Sequence, residues 1–414
     1  MKTIILFLYL LFSSVVSGQD IDWMQIAKES SDPNEKIGYY TKIIEMGTAE
    51  KDVFLFRGEV KFSMKDYQGS ISDYNTAIEL DSKFIAAYVN RSLALLRLND
   101  YKGAMSDCNK AIEIDPGNAL AYCNRGEVKF WMKDQDIKGA IADYTKAIEL
   151  DPGLAVAYSN RGATKSDQKD YKGAIKDLDK AIEIAPNDAV AYYNRGIAKT
   201  YLEDLKGAIE DYDKAIELDP KYFDAYVNRG RTRSFLKDYQ GSISDYAKAM
   251  EINPNIYITY HNSSLIYFQE KDYSKAIEVA EKGLTFIGKH PELLNDLGYL
   301  QLESRNYDKA IERFKECVSI NNMDTKIDAE LGLAVVYFKK KDMGNSKKYW
   351  KQATKFVTPY FLAGSDDHLD FMEGYLGLWQ TNMKTLRMIY DEFHWSNLEF
   401  GISDLGFRIC FIDN

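Results

Sequence analysis

Apolar, small and polar positions recur along most of this chain in a block that repeats at a fixed step. The pentad Tyr-x-Asn-Arg-Gly/Ser stands at Tyr88–Ser92, Tyr122–Gly126, Tyr158–Gly162, Tyr192–Gly196 and Tyr226–Gly230. The arginines Arg57, Arg91, Arg125, Arg161, Arg195 and Arg229 are separated by steps of 34, 34, 36, 34 and 34 residues. A second block follows each pentad, as in Gly103-Ala104 leading to Ala111-Ile112-Glu113-Ile114-Asp115-Pro116. Each unit reads as two helices joined by a short turn. The second helix stops at pairs such as Asp115-Pro116 and Asp219-Pro220, because proline has no amide hydrogen for the turn before it. The single 36-residue step places two extra residues in the turn 133–137, where a surface loop absorbs them. One such hairpin cannot bury its apolar face alone, so the pattern predicts stability through stacking.

A 34-residue unit with an aromatic at position 4, Gly at 8, Ala at 20, Tyr at 24, Ala at 27 and Pro at 32 resembles the tetratricopeptide repeat. The unit 155–188 carries the pattern through Tyr158, Gly162, Ala174, Ala181 and Pro186, with Leu178 in the aromatic slot. The resemblance implies an all-α fold, an α-solenoid winding as a right-handed superhelix of about ten helix-turn-helix repeats with a helical C-terminal cap. The expected organisation is a signal peptide over 1–18, a diverged first repeat over 19–50 and regular repeats over 51–256. Diverged repeats follow over 257–360, then a cap and tail over 361–414.

Two positions depart from the family pattern together. Position 7, usually apolar, is Arg in six successive repeats, and position 23 of the same six is Asp: Asp73, Asp107, Asp143, Asp177, Asp211 and Asp245. Where the Arg is missing the Asp is missing too, as in Ser263 with Val279, Leu297 with Arg313 and Leu333 with Tyr349. A hairpin turning near position 15 brings positions 7 and 23 to one height, which predicts an Arg–Asp pair in each central repeat. Such a pair fixes register more than it adds stability. The alternative is an arginine ladder for phosphate or carboxylate ligands.

The family's concave wall is lined by first helices, and the resemblance points positions 2, 5, 6, 9, 12 and 13 into it. Position 6 is Asn at Asn90, Asn124, Asn160, Asn194, Asn228 and Asn262. A column of amides can hold the backbone of an extended peptide, or it can bond neighbouring helices. Aromatic residues share the face: Phe130, Trp131, Tyr193, Tyr201, Phe235 and Phe268. They read as partner anchors or as packing. The two-carboxylate clamp that the family uses for chaperone C-terminal tails needs Lys at position 5, which here holds Leu55, Val89, Cys123, Ser159, Tyr193, Val227 and His261. Chaperone-tail binding is therefore not expected.

Composition narrows the function further. A formal charge of −10, from 53 basic and 63 acidic residues, argues against a nucleic-acid groove. Lys2, an apolar run from Ile4 to Val16 and the small residues Ser17 and Gly18 read as a cleavable export signal, the run being short for a membrane anchor. Cys108, Cys123, Cys317 and Cys410 have no disulfide-framework spacing, although a Cys108–Cys123 bridge stays open. The sequons at Asn90 and Asn262 sit mid-helix, which disfavours glycosylation of the folded chain. His261, His290, His368 and His394 show no metal-ligand spacing, and there is no phosphate loop or nucleophile motif. The expectation is a non-catalytic scaffold or adaptor without cofactor or metal, periplasmic or secreted, gripping a peptide or helix of a partner. The alternatives are an accessory factor for cell-wall or carbohydrate processing and a helical-repeat RNA binder.

Overall fold

The computed structural model describes residues 22–132, 136–320 and 322–361, with side chains omitted at 324 and 354–361. The export signal, the inserted turn at 133–135 and the cap and tail beyond 361 lie outside the described residues. Among those described there are only helices. The chain divides into two compact units at Leu202/Glu203.

The first unit holds α1 (Trp23–Glu29), α2 (Pro33–Glu45), α3 (Lys51–Ser63), α4 (Tyr67–Leu80), α5 (Ile85–Arg97), α6 (Tyr101–Ile114), α7 (Ala119–Trp131), α8 (Ile137–Leu150), α9 (Ala155–Asp167), α10 (Tyr171–Ile184) and α11 (Ala189–Tyr201). The second holds α12 (Leu205–Leu218), α13 (Phe223–Phe235), α14 (Tyr239–Ile252), α15 (Tyr257–Gln269), α16 (Tyr273–Ile287), α17 (Pro291–Glu303), α18 (Tyr307–Val318), α19 (Met323–Lys339) and α20 (Met343–Phe361). Within each unit every helix packs against the next in sequence, and first helices of successive hairpins also touch.

The hairpin turn is built the same way in most of the described repeats, the α17–α18 turn differing in having Asn306 without a side-chain cap. A residue in left-handed conformation precedes an Asp: Lys65, Asn99, Lys169, Lys237 and Lys271 all have φ between 61° and 65°. The Asp caps the second helix, as Asp66, Asp100, Asp170 and Asp238 accept from the amides of Gly69, Gly103, Gly173 and Gly241 at 2.9–3.0 Å. Glycine at that third position lets the carboxylate lie close over the backbone, although Asp272 and Asp342 make the same cap to the amides of Lys275 and Asn345 at 3.1 Å. Inside the hairpin the glycine at position 8 receives the large residue at 24: a Cβ on Gly126 would meet the Tyr144 ring at 2.7 Å, and one on Gly162 would meet Leu178 at 2.8 Å. Tyr74, Tyr144, Leu178 and Tyr246 are fully buried there. In the diverged hairpin α17–α18 the same slot is filled by Phe314, wedged against Gly298 and Gly332.

Candidate functional site

Building outward from the hairpins, the arginine at position 7 occupies the middle of each first helix. Its Nε and Nη2 engage one buried carboxylate side-on: Arg57 with Asp73, Arg91 with Asp107, Arg125 with Asp143 and Arg161 with Asp177 in the first unit, and Arg229 with Asp245 in the second. The Nη2–Oδ1 distances run from 2.5 to 2.8 Å. Arg195 and Asp211 belong to different units.

The arginine has a further task with no counterpart in the sequence reading. Its Nη1 donates to the preceding hairpin's second helix, sixteen residues back: Arg57 to Thr41, Arg91 to Asn75, Arg125 to Asn109, Arg161 to Thr145, Arg195 to Asp179 and Arg229 to Asp213. Each guanidinium also lies over the aromatic ring at position 4, 5.1–5.9 Å from its centroid. One side chain thus ties three helices, which turns its donors inward to the fold and away from a phosphate or carboxylate ligand. The signal was present as an acceptor at position 25 (Thr, Asn or Asp), but its chemical variety hid it.

Most of these aspartates meet a second cation at position 11: Lys61 on Asp73 at 2.8 Å, Lys129 on Asp143 at 2.7 Å, Lys165 on Asp177 at 2.8 Å and Arg233 on Asp245 at 2.8 Å. Asp107 has Leu95 at that position, and only Arg91 among the described residues reaches it. Burial accordingly holds the Asp107 carboxyl above the ordinary carboxylate range, with the Arg91 bond an incomplete offset.

The asparagine column needs correction. Asn124 is buried, and its Nδ2 donates at 3.1 Å to both the Val89 carbonyl and Ser92 Oγ of the preceding first helix. Asn160 points its amide at Cys123 Sγ, 4.0 Å away, and Asn90 donates to Glu59 at 2.9 Å. These amides bond helix to helix, because a short side chain at position 6 meets position 5 of the neighbour, as Asn124 and Asn160 do, or position 9, as Asn90 does. Asn194 and Asn228 are half-buried, and Asn228 is also engaged.

The aromatic residues divide. Trp131 and Tyr201 in the first unit, and Phe235 in the second, end their first helices and are 54%, 51% and 47% exposed. Phe130 and Tyr193 are half-buried; Phe130 sits edge-on to Trp131 at 5.1 Å. Tyr201 stacks flat on Tyr171 at 4.8 Å, which fixes the ring while leaving its other face open. Cys108, Cys123 and Cys317 are free thiols, so the Cys108–Cys123 bridge is not formed, and burial pushes the Cys108 and Cys123 thiols up to about 12. Missed by the sequence reading is a buried contact between His261 Nδ1 and Asp296 Oδ2 at 2.7 Å, joining α15 to α17. No described helix is long and apolar enough to cross a membrane.

Tetratricopeptide-repeat models match residues 85–118, 155–188, 189–222, 211–243, 257–290 and 291–322. No significant match exists among curated proteins. Among solved structures, MamA is 28% identical over 39% of this chain and 92% of its own, with a TM-score of 0.37. YrrB, described as a TPR protein with an unusual peptide-binding site, is 25% identical over 45% of this chain and 96% of its own, at 0.36. PilF of Pseudomonas aeruginosa is 20% identical over 53% and 97%, at 0.46. The assignment rests on the repeat models, the 34-residue step and the hairpin packing. By these, the chain belongs to the tetratricopeptide-repeat family.

Proposed function

We propose that this protein is a non-catalytic scaffold that binds a peptide or helix of a partner protein through its first helices, in an exported complex. The observation that carries the reading is the exposure of Trp131 and Tyr201 at the same repeat position of the first unit. Large aromatic side chains held half in the open by packing on one face are the residue type that anchors partners, since they bury much area at small entropic cost. The position 7 arginines and Asn90, Asn124 and Asn160 act as internal ties, so we assign recognition to these helix ends. The location is read from Lys2 and the apolar run Ile4–Val16 alone, and N-terminal sequencing of the secreted protein should begin near Gly18. An intact Met1 would remove that part of the proposal.

The test is a set of photo-crosslinkers placed singly at Trp131, Tyr201 and Phe235, and at the exposed second-helix residues Lys102 and Lys172, in the native host. Adducts with one protein from the aromatic positions alone are expected. Equal labelling from the second-helix positions would refute the assignment. Replacing Trp131 and Tyr201 by Ala should abolish the adduct formed through Phe235 or weaken partner capture at least tenfold, with helix content unchanged. Adducts to wall polysaccharide or to RNA in place of protein would favour the accessory-factor or RNA-binding alternatives.

A further inference from the structure

Position 13 closes each first helix, and in the first unit its last three occupants are Trp131, Asp167 and Tyr201. They end α7, α9 and α11, and α9 touches both of the other two, so the three side chains stand at neighbouring helix ends along one edge of the array. All three are exposed. The two rings are held in place, Trp131 by Phe130 at 5.1 Å and Tyr201 by Tyr171 at 4.8 Å with the ring planes 3° apart. Tyr171 opens α10 four residues after Asp167, so the stack brings the Tyr201 ring to the hairpin turn that bears the carboxylate.

The carboxylate is the unusual member of the row. The occupant of position 13 before Trp131 is Arg97, and it reaches forward to Glu127, at position 9 of the next repeat, 3.1 Å away. Ahead of Asp167 that place is taken by Ile197, and behind it position 13 is Trp131, so neither neighbour offers a cation. Lys165, the last cation of α9, is engaged with Asp177, and Lys169 in the turn has interactions of its own. Among the described residues no hydrogen bond or ion pair reaches the Asp167 side chain. Burial raises its carboxyl above the ordinary carboxylate range, because the protein beside it removes water from one side and returns no partner. A carboxylate in that state, with an open aromatic ring on each side, is complementary to a basic side chain flanked by apolar ones.

The spacing sets the form of the ligand. Packed helix axes lie about 8–10 Å apart. A polyproline II segment rises about 3.1 Å per residue with about three residues per turn, so every third side chain points the same way at intervals of about 9 Å. In a flat strand the third residue turns to the opposite face. Every third residue of a polyproline II segment therefore matches the row Trp131, Asp167, Tyr201.

Resting on the scaffold reading above, we propose that these three helix ends dock a polyproline II segment of the partner, with a basic residue at its centre and an apolar residue three positions away on each side. The basic side chain pairs with Asp167, and the apolar side chains cover Trp131 and Tyr201. The rings supply contact area and the carboxylate selects the charge.

The test titrates the full chain with the end-capped, fluorescently labelled peptide Leu-Pro-Pro-Arg-Pro-Pro-Leu, and with the same peptide carrying citrulline, the neutral isostere of arginine. The arginine form is expected to bind about fivefold more tightly or better, as a charge-assisted contact does. Moving the arginine by one residue, in Leu-Pro-Arg-Pro-Pro-Pro-Leu, should lose that gain, which checks the spacing. Asp167→Asn should weaken the arginine form about fivefold or more and leave the citrulline form unchanged. Asp167 is exposed, so the melting temperature of this variant should match wild type. Equal affinity for the arginine and citrulline forms, indifference to Asp167→Asn, or no binding at roughly 5 mM peptide overturns the proposal. In the native host, Asp167→Lys should reduce the adduct from a photo-crosslinker at Tyr201 about fivefold or more. An undiminished adduct sinks the charged row and leaves the scaffold reading standing; no adduct even with Asp167 in place removes both.

Discussion

The hairpins α9–α10 and α17–α18 share one scaffold and differ in how they treat polar groups inside it. In the first, the buried carboxylate of Asp177 meets Arg161 and Lys165, and Arg161 reaches on to Thr145, so the interior charge is closed within the array. In the second, positions 7 and 23 are Leu297 and Arg313; the fold is held by Phe314 between two glycines, and charge sits instead at Asp296 and Glu292 with atoms left unbonded. A repeat can satisfy its buried charge within its own hairpin or share it with a neighbouring first helix, as Asp296 does with His261. The two states are distinguishable by mutation.

The largest expected effect is on the closed side. Arg91→Ala leaves buried Asp107 without a cation and should cost about 3–5 kcal/mol in urea unfolding. Arg161→Ala should cost less, because Lys165 remains 2.8 Å from Asp177. Equal losses would show that the second cation at position 11 does nothing. In both variants the broken tie to the preceding second helix contributes as well, so Arg161→Ala is not expected to be silent.

On the open side the dependence is on pH. Burial alone would lower the His261 imidazole, but the charge and hydrogen bond of Asp296, together with Glu292, outweigh it and hold the group above 6.5. A folded-state value above the unfolded one stabilises fully below about 6.5 and loses that contribution as pH rises through the folded value. Each unit of displacement is worth about 1.4 kcal/mol. Urea midpoints for wild type should therefore fall between pH 5.5 and pH 8.5 more steeply than for His261→Gln. Parallel pH profiles for the two proteins would show that His261 does not carry the effect.

The smallest effect should be common to both regions. Lys65 and Lys271 occupy left-handed turn positions at φ 65° and 61°. Relief of that strain by Gly, about 1–2 kcal/mol, is largely offset by the greater freedom of glycine in the unfolded chain, so each substitution should gain at most about 1 kcal/mol. Thermal melts of Lys65→Gly and Lys271→Gly would detect it, and a loss of stability at either turn would contradict the shared geometry.

The step of 34 residues made the helices legible to within a turn, because the stops at Asp-Pro and the small residues at positions 8, 20 and 27 recur in register. Arg161 and Asp177 stood out for a related reason: charged residues in slots otherwise apolar, always gained and lost together. Asn124 was not legible in its direction, since one rotation about its side-chain bonds separates the open face from the neighbouring helix. Thr145 and Asp179 were hidden because any acceptor serves there. His261 with Asp296, and the unbonded group around Asn295, occur once, and a pattern that does not repeat offers no register from which to read it.

The placement of the arginine tie also bears on how such a chain could grow. Each regular unit up to residue 222 carries the Arg at position 7, the Asp at 23 and the acceptor at 25 that the following unit will use, while the last one, with Ala247 at position 25, precedes a repeat without the Arg. If residues 155–188 were removed, Arg195 would face Thr145 in place of Asp179, and Thr145 is already the acceptor for Arg161. Duplication or loss of a whole unit between 51 and 222 therefore leaves no junction with a missing half. Array length is free to drift by whole units in the lineage without any compensating change elsewhere.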